Sequence, residues 1–299
     1  MKKRMITRYV SSLLMQIGVA LWCVAVKLTS RRVHKCWGQL LGKLFLKVPV
    51  RKRQIAKKNI ELCFPEYSQC QVENLLKENA SMVGRALFDV GVSWFWSDAQ
   101  IRKKCHYRIE GEELLVSQNK QQGVLLLFKH SLHFMLDARI LGLDHEIYGV
   151  TRDVKNSTFI NELYMKKRMH ACKGIALPHE PLKFVRWLRK GKILCYALDH
   201  DYGLENSIIA KFFNEPAATL TAPFKMRKMT NCRICLLDSY YDKEDVLVLK
   251  ITEQHELDDS CQQSFLQKLN DATTRQIAEK PQEYHWYYGR FKSMNAYKK

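Results

Sequence analysis

Three short apolar runs, each breaking off at a knot of polar residues, confine this chain to a layered α/β fold. Residues 124–128, VLLLF, run into Lys129, His130 and Ser131. Residues 146–150 end at Thr151, Arg152 and Asp153, and residues 192–197, KILCYA, lead to Asp199, His200, Asp201, Tyr202 and Gly203. Runs of this length read as buried strands. Helical patterns lie between them, over 134–141, 157–171 and 181–190. The alternation predicts an α/β class with a mixed, mostly parallel sheet flanked by helices. In open sheets of this kind ligands bind beyond the C-terminal ends of the strands, which is where the polar knots fall.

The first knot holds the residues best suited to chemistry. His133 and Asp137 are four apart, and His130 and Asp137 seven apart. On a helix both spacings share one face. A carboxylate beside an imidazole fixes its tautomer and stabilises the imidazolium, which makes the histidine a usable general base. His130 is therefore the candidate base, His133 the alternative and Asp137 the acid. A helix-face ion pair beside surface histidines is the competing reading. Arg152 has the planar fork that holds a phosphate or carboxylate. Asp199 and Asp201, flanking His200 on a loop that ends in glycine, are expected to brace that loop or position substrate, with Lys129 beside them. Metal binding ranks below this, because no further ligand cluster accompanies them.

The chain has 299 residues, with 49 Lys+Arg against 30 Asp+Glu and a net charge of +19. Such an excess attracts polyanions. With no zinc-finger or RNP-type motif and no concentrated basic arm, a membrane surface or an acidic carrier protein is the expected partner, and nucleic acid is not. Ten scattered cysteines suit a reducing compartment. Cys232 and Cys235 form a lone CxxC without a second ligand pair, so no metal site is expected there.

Residues 9–26 carry no charged side chain, a stretch just long enough to cross a bilayer. No cleavage pattern follows, so an uncleaved membrane anchor is expected over residues 1–30, with one catalytic domain over 31–299. Four basic residues precede the stretch and six follow it, which favours a cytoplasmic domain. A helix lying in the interface is the competing reading. Residues 43–58 form a basic run suited to anionic headgroups. Residues 68–96 read as a helix ending in the aromatic cluster WFW, 112–122 as another, and 264–279 as a third. Strands are expected at 107–110, 233–240 and 246–251. No repeat or Gly-rich phosphate loop is present.

Several segments together resemble the lipid A late acyltransferases, lauroyl- and myristoyl-transferring enzymes of the lysophospholipid acyltransferase superfamily. They are KKNIELCFPE (57–66), HSLHFMLDARILG (130–142), YGVTRD (148–153), ALDHDYG (197–203), EPAAT (215–219) and EYHWYYGRFK (283–292), in the family's order and spacing. The resemblance implies a bacterial inner-membrane enzyme without a cofactor, its active site facing the cytoplasm. It implies transfer of an acyl group from a carrier-protein thioester to the hydroxyl of a 3-hydroxyacyl chain on lipid A (Kdo-lipid A). The family motif is a histidine followed, four intervening residues later, by an acid. Alignment on LDARILG puts His130 in the histidine's place and Met135 in the acid's. Methionine cannot orient or charge-stabilise an imidazole. Three explanations compete: Asp137 has taken over, a different acid such as Asp199 or Asp201 serves, or catalysis is weak. A glycyl-transferring branch, which modifies lipid A in polymyxin resistance, suits a changed donor. There Asp137 would bind the glycyl ammonium. On Met135 alone, glycyl transfer is placed ahead of fatty acyl transfer, and a non-catalytic membrane-bound relative behind both.

Overall fold

The computed structural model describes residues 2–47, 51–116, 122–152 and 158–297, with side chains from residue 12 onward and without that of Thr158. Four helices come first: α1 (Lys2–Leu28), α2 (Arg31–Lys47), α3 (Arg51–Cys63) and α4 (Gln69–Phe95). α4 is the platform of this layer. Ser68 and Gln71 close its N-terminus with a reciprocal capping box. Trp22 of α1 packs edge-on against Trp94 and Phe95, and Val26 is fully buried. α2 lies closer still, because Gly38 and Gly42 meet the backbone of Ala80, Gly84 and Arg85, where a Cβ has no room.

α5 (Asp98–Lys104) leads into β1 (Tyr107–Glu110). The chain then alternates through β2 (Val124–Phe128), α6 (Phe134–Leu141), β3 (Ile147–Val150), α7 (Thr158–Arg168), β4 (Gly174–Ala176), α8 (Pro181–Arg189) and β5 (Ile193–Ala197). A hairpin of β6 (Ser207–Phe212) and β7 (Glu215–Leu220) follows, then α9 (Ala222–Thr230), β8 (Arg233–Tyr241), β9 (Leu247–Glu253) and α10 (Gln262–Glu279). Among the described residues seven strands form one sheet in the order β1-β9-β8-β2-β5-β3-β4, every pair parallel except the antiparallel β8–β9. The sheet is mixed and mostly parallel, as expected. β2 sits at its centre. Val124 and Leu126 join a core with Phe88, Val92 and Ile140, whereas Leu125 and Leu127 join one with Phe184, Leu188 and Phe265. Both faces are covered, so the strand reads as a continuous apolar run rather than an alternating one.

One expected element is corrected, two strand regions were not anticipated, and the expected anchor is not confirmed. The helix expected over 112–122 is a short 3-10 turn at Glu112–Leu115, and residues 117–121 lie outside the described residues. β4 and the β6–β7 hairpin are strands that the apolar-run reading did not separate from loop. The anchor expected over residues 1–30 forms a helix, yet no helix among the described residues is long and apolar enough to cross a membrane. Its last turns fold back onto α4 through Trp22 and Val26, and the side chains of residues 1–11 lie outside those described.

Candidate active site

β2 and β5 run parallel with Phe128 opposite Ala197. Two residues beyond each strand, the same register brings His130 and Asp199 side by side. Asp199 Oδ1 lies 2.6 Å from His130 Nδ1, and Oδ2 accepts the His130 backbone N–H at 2.9 Å. The carboxylate is fully buried, while the imidazole is 17 % exposed. Burial works against the Asp199 charge, but His130 outweighs it and holds the carboxyl well below the usual carboxylate range. An ionised carboxylate at Nδ1 fixes the N–H there and leaves Nε2 as the basic nitrogen.

The His130 ring stacks on His200 at 3.5 Å between centroids and 1° between planes, and His200 stacks in turn on Tyr288 at 3.8 Å. Burial, with the His130 charge beside it, pushes His200 down to about 3, so His200 stays neutral. Burial lowers His285 to about 4 in the same way. His285 belongs to a C-terminal segment that pairs with the turn carrying His130: its N–H donates to His130 O at 3.0 Å, and Tyr284 forms an antiparallel bridge with Ser131.

His130, His200 and His285 line a cavity of about 400 Å³. Most of its wall is apolar, from Phe128, Phe134, Met135, Ala138, Leu141 and Leu237. Arg152, Lys167 and Arg168 add cationic groups to the lining. The exposed Arg152 guanidinium lies 3.9 Å over the Tyr202 ring. His130, Asp199 and His200 bring potential metal-ligand atoms within 4.8 Å of one another. The stacked rings hold their nitrogen lone pairs in parallel planes, which do not converge on one ion as tetrahedral ligation requires.

The other expected residues sit elsewhere. Asp137 lines the cavity with its side chain buried, and its Oδ2 accepts from Ser239 Oγ at 2.6 Å and Ser131 Oγ at 3.1 Å. Burial raises its carboxyl to about 7. The expected His130–Asp137 pair is therefore replaced by His130–Asp199: α6 begins only at Phe134, so helical spacing does not extend back to His130. His133 is buried, with Nε2 3.7 Å from Glu283, and burial lowers it to about 4; it is not in the cavity wall. Lys129 is turned into the interior and paired with Asp238. Asp201 accepts from Gly203 N–H at 2.9 Å and from Ser293 N–H and Oγ at 2.8 and 2.7 Å, tying its loop to the C-terminal segment. Met135 stands in the cavity wall as an apolar surface. His285 and Tyr288 were visible only as members of an aromatic terminal cluster, which carries no sign of where it docks.

An imidazole braced by a buried carboxylate, in the wall of a largely apolar cavity that also carries cationic side chains, suits acyl transfer to a hydroxyl. The sequence agrees. Residues 1–293 match the family model of the bacterial lipid A biosynthesis acyltransferases. The chain is 30 % identical over 287 residues to a lipid A biosynthesis acyltransferase of Haemophilus influenzae, covering 93 % of this chain and 89 % of that protein. It is 30 % identical over 285 residues to the lipid A biosynthesis lauroyltransferase of Escherichia coli, covering 93 % and 90 %. To the palmitoleoyltransferase of the same organism it is 27 % identical over 259 residues, covering 85 % and 82 %. With the match spanning the strands, the catalytic turn and the C-terminal segment alike, this chain belongs to the bacterial lipid A biosynthesis acyltransferases.

Proposed function

We propose that the chain transfers a fatty acyl group from a carrier-protein thioester to a hydroxyl on an acyl chain of lipid A, with His130 as general base and Asp199 as its orienting acid. The observation that carries this reading is the His130–Asp199 pair at the head of an apolar cavity. His130 Nε2 takes the proton of the acceptor hydroxyl as its oxygen attacks the thioester carbonyl. Asp199 stabilises the imidazolium that results. The carbonyl oxygen gathers negative charge, which Arg152 is placed to offset, unless Arg152 serves a lipid phosphate instead. Collapse breaks the carbon–sulfur bond, the imidazolium proton passes to the departing thiolate, and the products are an ester and the free carrier thiol.

The cavity favours fatty over glycyl transfer. A glycyl donor calls for a small site with a counter-charge for its ammonium. Asp137, the acid assigned to that task, is buried, bonded to two serines and raised to about 7, so its charge is weakened and its oxygens are already engaged. The antimicrobial-peptide resistance attached to the glycyl reading loses its support with it. We place the enzyme at the bacterial inner membrane with its site toward the cytoplasm, where both carrier protein and lipid A precursors meet. The test is the mass spectrum of lipid A from cells with and without the protein. A fatty acyl gain, absent with His130→Ala, is expected. A glycyl gain, or no gain with any carrier-bound donor, would overturn the reading.

A further inference from the structure

The first sixty residues contain no aspartate or glutamate; the earliest acid is Glu61, and fifteen of the chain's 49 lysines and arginines precede it. Within this segment α2 is docked rigidly. His34, Gly38 and Gly42 face α4, and the glycines bring the two backbones into contact. On another face of the same helix, Trp37, Leu40, Leu41 and Leu44 form an i, i+3, i+4, i+7 stripe that is 46 %, 58 %, 40 % and 48 % exposed. Exposed Arg32, Lys43 and Lys47 occupy the remaining face and border the stripe. Four large apolar side chains in water are costly, and nothing among the described residues covers them fully.

We infer that α2 is a membrane-contacting helix, its Trp37–Leu40–Leu41–Leu44 stripe seated at the headgroup–acyl boundary of an anionic bilayer and its basic border on the headgroups. The inference rests on the functional reading above for the presence of a membrane, and it goes beyond it by naming the second helix, not only the first, as the contact. A bilayer is the occupant whose chemistry matches both halves of the surface. Hydrocarbon takes the leucines, phosphate takes the lysines and arginines, and tryptophan sits at the boundary between them. A nucleic acid offers the charge without the hydrocarbon. The absence of any acid through residue 60 removes the repulsion that an anionic surface would otherwise exert on this segment. Because α2 is joined to α4 backbone to backbone, a seated stripe also sets the orientation of the whole catalytic domain. Ser93 of α4 lines the cavity, so the same rigid element links membrane contact and active site.

The experiment is vesicle binding by the full chain, using phosphatidylglycerol-containing and pure phosphatidylcholine vesicles, with Leu40→Glu/Leu44→Glu as the variant. Circular dichroism and acyl transfer in detergent micelles report on folding and on the active site. The expected result is a fall of about tenfold or more in binding to the anionic vesicles, with unchanged dichroism and unchanged micellar transfer. A second measurement needs no folding comparison. Acyl-chain-brominated lipid should quench the tryptophan fluorescence of the wild type, and quench Trp37→Phe measurably less. Binding retained within twofold together with equal quenching of both proteins would overturn the inference. So would a lipid-free dimer that the glutamates split while vesicle binding persists, because the stripe would then belong to a second copy. A wild type that binds vesicles through the stripe but transfers no acyl group in micelles supports the inference and sinks the functional reading alone.

Discussion

Asp199 and Asp137 are both fully enclosed beside the turn that carries His130, and the surroundings shift them in opposite directions. Asp199 holds an imidazole on one oxygen and a backbone N–H on the other, and its carboxyl is kept well below the usual range despite burial. Asp137 is hydrogen-bonded by two serine hydroxyls, and burial raises it to about 7. Burial penalises each charge; the difference is whether a group able to carry positive charge bonds the carboxylate directly, as His130 does for Asp199 while Lys129 near Asp137 is paired with Asp238. Neutral donors satisfy a carboxyl's lone pairs but do not hold it ionised against desolvation. The acid proposed to support the base is therefore found by asking which carboxylate bonds an imidazole, not which lies nearest along the chain.

The sharpest break in this comparison is Asp199→Asn. An amide at Nδ1 supports neither the tautomer nor the imidazolium, and steady-state kinetics should show kcat falling by roughly 10³- to 10⁴-fold. A fall of less than tenfold would mean that another acid serves the base. Next in size is Met135→Glu, which restores the acid of the resembling motif. His130 Nδ1 is already held by Asp199, so the new carboxylate lands in an apolar wall. Transfer should drop by about tenfold through loss of donor binding, seen as a raised KM. A gain in kcat would show that His130 can exchange partners.

The smallest effect on activity belongs to Asp137→Asn, expected within about threefold of wild type, with its signature in stability. A carboxyl raised from 3.8 to about 7 supports the fold fully below its unfolded value, and the contribution is lost as pH climbs through 7. Fixing the neutral form should flatten the decline of Tm between pH 4 and 7, a change on the order of a few kcal/mol. Glu283, also raised to about 7 by burial, keeps part of the slope. A slope identical to wild type would mean that Asp137 is ionised throughout.

His130 at a strand end was legible because an apolar run followed by polar residues has one meaning in a parallel sheet. Its partner was not, because Asp199 lies just beyond β5 and reaches His130 only through the register of two strands separated by three helices and two further strands. Lys129 carried a signal that went unused. Successive strand residues point to opposite faces, so Lys129 and His130 could not both enter the cavity. β4 is three residues long, too short for any periodicity, and β6 is a half-exposed strand of the hairpin rather than a buried run. The long α4 was legible over nearly its full length, since its apolar stripe repeats with the helical period.

The bridge between Ser131 and Tyr284 has a temporal consequence. Every strand of the main sheet is complete by Glu253, yet the turn that presents the base is braced by residues thirty positions further on. A nascent chain emerging from the ribosome can assemble its sheet and helices while His130 still lacks its backbone partner at His285. A chain stalled or clipped short of this segment would lack the backbone partners of the His130 turn, the last brace of that turn to be synthesised.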